Sequence, residues 1–233
     1  MTLLSVRGLH AFYGDSHVLH GLDFELARGE LVTLIGRNGA GKTTTLRALM
    51  GLVQRRGSVL LKDAQTVAWA PERIARLGMA YVPEDRGIFA SLTVEENLML
   101  PPVVAAGGLT LAEIYRLFPN LLERRRNPGT RLSGGEQQML AIARVLRTGA
   151  DLILLDEPTE GLAPVVVQQI AQAVKLLKAR GFTVLLVEQN LAFAELLADR
   201  HYLVEDGRIA GCVAAQDLAR PGQRERIHRC LGL

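Results

Sequence analysis

An α/β fold built on a parallel sheet is the architecture this sequence predicts. Three observations carry it. Five short runs are apolar throughout rather than alternating: "LVTLIG" (Leu31–Gly36), "MAYV" (Met79–Val82), "LILLD" (Leu152–Asp156), "TVLLVE" (Thr183–Glu188) and "YLVE" (Tyr202–Glu205). Such runs mark strands covered on both faces, as parallel strands are. Helical patterns separate them, so helices are expected on both faces of the sheet. The chain has 233 residues, 48% of them hydrophobic, which is enough for one sizeable core and excludes a disordered chain.

The elements follow in order. Leu3–Phe12 and Val18–Leu26 alternate more and meet at a turn around Gly14-Asp15, which predicts an antiparallel β-layer ahead of the parallel core. A helix follows Gly41. From Glu84 to Leu132, pairs such as Pro101-Pro102, Gly107-Gly108 and Pro128-Gly129 punctuate helical pieces. This segment is expected to be a helical sub-domain (84–132) inserted between two core strands of a single domain spanning 1–233. A helix opens at Pro164, a favoured first helical position, buries Val166, Ile170, Ala173, Val174 and Leu177, and stops at Gly181.

The bulk charge excludes little and suggests little. The net charge is +3 with both signs interspersed, and the one basic run, Arg124-Arg125-Arg126, reads as a solvated face, so no nucleic-acid partner is expected. Cys212 and Cys230 lack metal-like spacing and read as reduced thiols. The start, "MTLLSVRGLH", has no signal-peptide pattern. No stretch approaches the ~18 uninterrupted apolar residues of a membrane span. A soluble protein that can still dock on a membrane protein is the expectation.

Gly36-Arg37-Asn38-Gly39-Ala40-Gly41-Lys42-Thr43 fits G-x-x-x-x-G-K-[ST], directly after a strand and before a helix. Glycines there let successive N–H groups turn inward on a phosphate. Lys42 can reach the β- and γ-phosphates, and the Thr43 hydroxyl can ligate Mg²⁺. Thr44 follows in the same grip. The fold is thus a P-loop NTPase parallel-sheet core with an N-terminal antiparallel β-layer and an inserted helical sub-domain. Asp156 ends a buried strand beside this loop and suits a Mg²⁺ ligand. Glu157, one residue on, can polarise the attacking water.

"RLSGGEQQML" (Arg131–Leu140) holds a second anion-binding signal. Ser133, Gly134, Gly135 and Glu136 open a helical stripe, and Ser133 with Glu136 forms a capping box, by itself a structural device. Two glycines are not needed for a cap and expose backbone N–H groups to close approach. Since the chain's own nucleotide has its grip at Gly36–Thr43, Ser133–Gln137 is expected to contact a nucleotide held by another copy or a partner chain.

In this order, "GRNGAGKT", "LSGGEQ" and "LILLDEP" resemble the nucleotide-binding subunit of an ABC transporter over nearly the whole chain. The resemblance implies a head-to-tail pair of such subunits with each ATP between one phosphate loop and the other LSGG segment. It also implies that Tyr13 stacks on adenine, that Tyr81–Glu84 is the loop sensing γ-phosphate and meeting membrane subunits, and that Pro158–Ala163 speaks across the dimer. Three positions depart from the family's pattern: Glu84 stands for Gln and becomes an acidic metal contact, Ala163 for Asp, and Gln189 for His. An amide cannot carry a proton near neutral pH, so Gln189 is expected to position γ-phosphate while Glu157 supplies the base.

"YVPEDRGIFASLTVEENL", "EGLAP" and "VEQN" are similar to the smaller ATP-binding subunit of bacterial and archaeal branched-chain amino acid importers. Related subunits for urea or short amides read similarly, and a soluble non-transport ABC ATPase or a non-hydrolysing ATP-gated clamp are the other readings. The resemblance implies ATP and Mg²⁺ as cofactors and a second, non-identical ABC ATPase subunit as partner. It further implies two membrane permease subunits, an external solute-binding protein reached through them, and a peripheral position on the cytoplasmic face of the inner (plasma) membrane. A groove lined by Glu84–Phe89 and the helical insert is expected to receive a short helix of a membrane subunit.

Overall fold

A computed structural model describes residues 1–232. Its elements run β1 (Thr2–Tyr13), β2 (Ser16–Ala27), β3 (Leu31–Ile35), α1 (Lys42–Leu49), β4 (Gln54–Leu61), β5 (Ala64–Gln65), α2 (Pro71–Leu77) and β6 (Met79–Val82). They continue with α3 (Val94–Met99), α4 (Leu111–Leu117), α5 (Pro119–Glu123), α6 (Gly134–Leu146), β7 (Leu152–Asp156), α7 (Pro164–Ala179), β8 (Thr183–Glu188), α8 (Leu191–Leu197), β9 (Arg200–Glu205), β10 (Arg208–Ala214) and α9 (Gln223–Leu231). All five apolar runs are strands. They form the parallel part of a six-stranded sheet ordered β10-β9-β3-β8-β7-β6, closed at one edge by the antiparallel β10.

The pleat sends successive residues of each run to opposite faces. Leu31, Ile153, Leu155, Val184 and Leu186 enter one core, with α6, α7 and the apolar residues of α3–α5. Val32, Leu34, Leu152, Leu154, Leu185 and Val187 enter the other. Every residue of β3, β7 and β8 is buried, which is why their sequences do not alternate. Helices lie on both faces, as expected. The second face carries α1 and, through Ile74, α2, and it shares them with the antiparallel layer, which contributes residues such as Leu4, Leu22, Phe24 and Val59.

That layer is larger than the sequence suggested. β1 and β2 form the expected hairpin, with Tyr13 paired to Ser16 and Gly14 at φ +56 in the turn. Beyond it, β4 pairs with β1 and β5 with β4, giving the order β2-β1-β4-β5. "QRRGSVLL" carries two arginines and a glycine and exposes half its length, so no strand pattern marks it in isolation.

Between β6 and β7, residues 84–132 fold as three short helices and a 3-10 turn (Gly129–Arg131). Val94, Leu98, Ile114, Phe118, Leu121 and Leu132 pack on the same core as Met139, Ile142 and Leu146 of α6. Three capping boxes set the helix starts: Thr93 with Glu96, Thr110 with Glu113, and Ser133 with Glu136. Helix α7 begins at Pro164 as expected, and Gly181, at φ +83, follows its end.

One buried polar pair links β3 to β9. His201 and Thr33 are fully buried, register partners, and joined by a 2.6 Å hydrogen bond between His201 Nδ1 and Thr33 Oγ1. Among the described residues His201 Nε2 has no hydrogen-bond partner. Burial pushes the imidazole below its ordinary value of 6.5. The folded state therefore binds its proton less readily than the unfolded chain. The associated stability is complete above the unfolded pKa and is lost as pH falls below it toward the folded value. Urea midpoints measured from pH 8 downward should stay level to near 6.5 and then fall. The His201 contribution should be at most about 1.4 kcal/mol per pH unit, and His201→Gln should flatten that acid limb.

Candidate functional site

The carboxyl ends of β3, β8 and β7 lie level: Ile35 pairs with Glu188, and Asp156 with Val187. At this edge the loop after β3 curls back into α1. Gly39 and Gly41 adopt φ +80 and +104, the left-handed region where glycine is at ease. A Cβ on Gly36 would lie 2.3 Å from the Val204 carbonyl oxygen, so this position admits no side chain. The loop opens onto a cavity of about 440 Å³ lined by Tyr13, Val18, Asn38, Gly39, Gly41, Lys42, Thr43, Thr44, Glu84, Glu157 and Glu160. Arg37 and Ala40 face a neighbouring depression with Asn38 and Gly39, against β9 and α9. Tyr13, which lines the cavity, is 39% exposed.

The ammonium of Lys42 is only 4% exposed and donates to the carbonyls of Gly36 and Arg37 at 3.0 and 3.2 Å, with a Glu157 carboxylate oxygen at 3.3 Å. Thr43 donates to Asp156 Oδ1 at 2.9 Å, and the Tyr81 hydroxyl donates to Asp156 Oδ2 at 2.8 Å. Burial holds the Asp156 carboxyl above the ordinary range, opposed by these two hydrogen bonds; Glu157 and Glu84 add to the rise. Burial likewise lifts Glu160, and the charges of Glu157 and Glu84 reinforce it. A cation here would relieve this carboxylate crowding.

Among the described residues no three acidic, His or Cys side chains converge into a metal cage. One hydroxyl and one carboxylate beside a phosphate-shaped loop are instead the donor set of Mg²⁺, which keeps its waters and shares phosphate oxygens. The residues present fit the ion and a nucleoside triphosphate. Glu84 lines the cavity but, among the described residues, makes no hydrogen bond to Thr43 or Asp156.

Glu157 stands at φ +44, unusual for a side chain with a Cβ, and its N–H is tied to the Val187 carbonyl at 3.0 Å. Its carboxylate accepts the Gln189 amide at 2.6 Å. The structure thus joins two residues from the separate loops that follow β7 and β8. Ala163 is the N-cap of α7 and offers no side-chain cap.

Ser133, Gly134, Gly135 and Glu136 lie away from this cavity, at the start of α6. The capping box is intact: Ser133 N–H donates to Glu136 Oε2 at 2.8 Å, and Glu136 N–H to Ser133 Oγ at 3.3 Å. Arg124 pairs with Glu136 at 2.7 Å. The glycines are not both explained by an approaching ligand. A Cβ on Gly135 would lie 2.6 Å from Val166 Cγ1, so packing against α7 requires this glycine. At Gly134 a Cβ would meet only the Arg86 guanidinium, at 3.3 Å.

An apolar groove of about 480 Å³ runs between the sheet edge and the insert, bounded by Leu52, Met79, Pro83, Pro101, Val104 and Val145 among others. Arg86 and Gly87 reach it. Ile88 does not, contrary to expectation: it packs into the helical core against Gly129, and buried Asn97 clamps the backbone of Phe89. Tyr81 as a partner of Asp156 also escaped the sequence reading, because only the register of β6 on β7 brings the two together.

The family model for ABC transporter matches residues 19–160. The high-affinity branched-chain amino acid transport ATP-binding protein BraG of Pseudomonas aeruginosa is 44% identical over 89% of this chain and 91% of its own length. The probable branched-chain amino acid transport ATP-binding protein LivF of Archaeoglobus fulgidus is 34% identical over 99% of both chains. A solved ATP-binding subunit of an ABC transporter superposes with a TM-score of 0.82 at 31% identity, covering 98% of each chain. The chain belongs to the ABC transporter family as an ATP-binding, ATP-hydrolysing subunit.

Proposed function

We propose that this subunit hydrolyses ATP to drive import of branched-chain amino acids, paired head-to-tail with a second ABC ATPase subunit beneath two membrane permease subunits. The observation that carries the reading is an incomplete site. The cavity over the phosphate loop holds Tyr13, Lys42, Thr43, Glu84 and Glu157 but none of Ser133–Glu136. The names of the relatives support the solute, and the external solute-binding protein and the permeases would confer its specificity. Among the described residues no helix is long and apolar enough to cross a membrane, so attachment to the cytoplasmic face of the membrane would run through the permeases.

Gly36–Thr44 would cradle the phosphates through backbone N–H groups at the start of α1, where the helix dipole favours an anion. Tyr13 would stack on adenine, a contact worth about 1–3 kcal/mol. Thr43 and Asp156 would hold Mg²⁺, with Glu84 as an outer acidic contact. When bound, the ion neutralises charge on the β- and γ-oxygens. On binding, Lys42 would turn from the loop carbonyls to the phosphates, leaving Glu157 with the Gln189 amide as its partner. Glu157 then accepts the proton of the attacking water, while Gln189 fixes the carboxylate and contacts γ-phosphate. The partner's start of α6 would close the site from the other side.

Three outcomes test this reading. Glu157→Gln should lower turnover about 10²- to 10⁴-fold while ATP binding persists, and Gln189→Ala should lower it less; a Glu157→Gln protein with unchanged turnover would refute the base assignment. Gly134→Asp puts a carboxylate where a partner's triphosphate should approach. It should abolish ATP-dependent dimerisation in light scattering without loss of the monomer's nucleotide binding. Leu52, 51% exposed on the groove, should tolerate Leu52→Glu in folding, and transport should fail while ATP still binds; normal uptake would refute permease docking in the groove.

A further inference from the structure

The base and its amide partner sit on two loops, one after β7 and one after β8. Besides the Gln189–Glu157 contact, a buried carboxylate joins those loops. Glu188, 3% exposed, ends β8. Its Oε1 accepts from the Thr159 N–H at 3.2 Å and from the Thr159 hydroxyl at 2.7 Å. Its Oε2 accepts from the N–H groups of Gln189 and Asn190, both at 3.1 Å. Asn190 in turn caps α8 through Phe193 N–H at 3.1 Å.

All four partners present donors. Burial pushes the Glu188 carboxyl up, and the nearby charge of Glu157 adds to this, yet the bonds from Thr159 and Asn190 oppose it. A protonated acid would turn one of its acceptors into a donor facing donors, so the arrangement matches the anion. A buried carboxylate is costly unless it is hydrogen-bonded; here four donors match it, and an apolar residue at the strand end would leave those donors without acceptors. What the carboxylate gives is geometry. It fixes the loop from Pro158 relative to the loop from Gln189, and with them the 2.6 Å contact between Gln189 and Glu157.

We infer that Glu188 is a positioning residue for ATP hydrolysis, which ties the cross-dimer loop at Thr159 to the Gln189 backbone and so sets the orientation of Gln189 on Glu157. Closure of the partner on Pro158–Ala163 would then reach the orientation of Gln189 on the base by way of this side chain. The inference rests on the assignment of Glu157 and Gln189 to hydrolysis.

The test is steady-state ATPase of the full-length chain, co-purified with its membrane partners, as a function of MgATP. Glu188→Gln replaces one acceptor by a donor. It should lower kcat about ten- to a hundredfold, the scale of a small misplacement of reacting groups, with KM little changed. In a Gln189→Ala background it should cause no further loss. Thr159→Val, which removes only the hydroxyl, should show a smaller loss in kcat, and Thr159→Ser should recover it; this series carries the test if Glu188→Gln fails to fold. Unchanged kcat, a change confined to KM, or losses that multiply with Gln189→Ala would overturn the inference. So would a loss in Glu188→Gln beside an unaffected Gln189→Ala. Glu157→Gln measured alone reports on the hydrolysis assignment itself, so the two failures are distinguishable.

Discussion

The register of β3, β7 and β8 is the constraint on which the remainder of the site depends. These three strands are buried along their whole length, so sliding any one of them by a residue would turn half its side chains into the wrong core. With the register held, Ile35, Asp156 and Glu188 end together. The loop after β3, Asp156 at the tip of β7, Glu157 just beyond it and the turn after β8 then meet at one edge of the sheet, where Glu157 reaches the cavity and accepts from Gln189. Strand ends of a parallel sheet commonly bear ligands for this reason.

Charge is distributed over this edge so that each group is tied but not neutralised. Lys42 shares itself between two carbonyls and Glu157, Asp156 holds two hydroxyls, and Glu157 holds an amide. Glu84, Glu157 and Glu160 face the same space, and burial together with the charges of Glu157 and Glu84 raises the proton affinity of Glu160. A site left with crowded carboxylates and a cation whose hydrogen bonds are exchangeable favours a ligand that brings both phosphate and Mg²⁺. Under the proposed pairing with a second subunit, loss of that ligand on hydrolysis would remove the reason for closure.

The departures from the wider family's pattern make sense together. A histidine could exchange protons near neutral pH, and Gln189 cannot; its amide is instead engaged with Glu157. Ala163 leaves α7 without a side-chain cap, while one residue of the same loop, Thr159, is held by Glu188. The anchoring of that loop thus resides at its start rather than at the helix it leads into.

Local signals made much of this legible in sequence. The glycines and Lys-Thr of Gly36–Thr43, the apolar runs, Pro164 and the Ser133–Glu136 box each act within a few residues, and each has the structure its chemistry dictates. What only the tertiary structure decided involves residues far apart in the chain. β4 becomes a strand because β1 offers it an edge, Gly135 is small because Val166 packs on it, and Ile88 turns inward on Gly129. Gln189 meets Glu157, and Glu188 meets Thr159, across two parallel strands. Such contacts leave no periodic trace, since their partners are set by sheet order and register, not by neighbours along the chain.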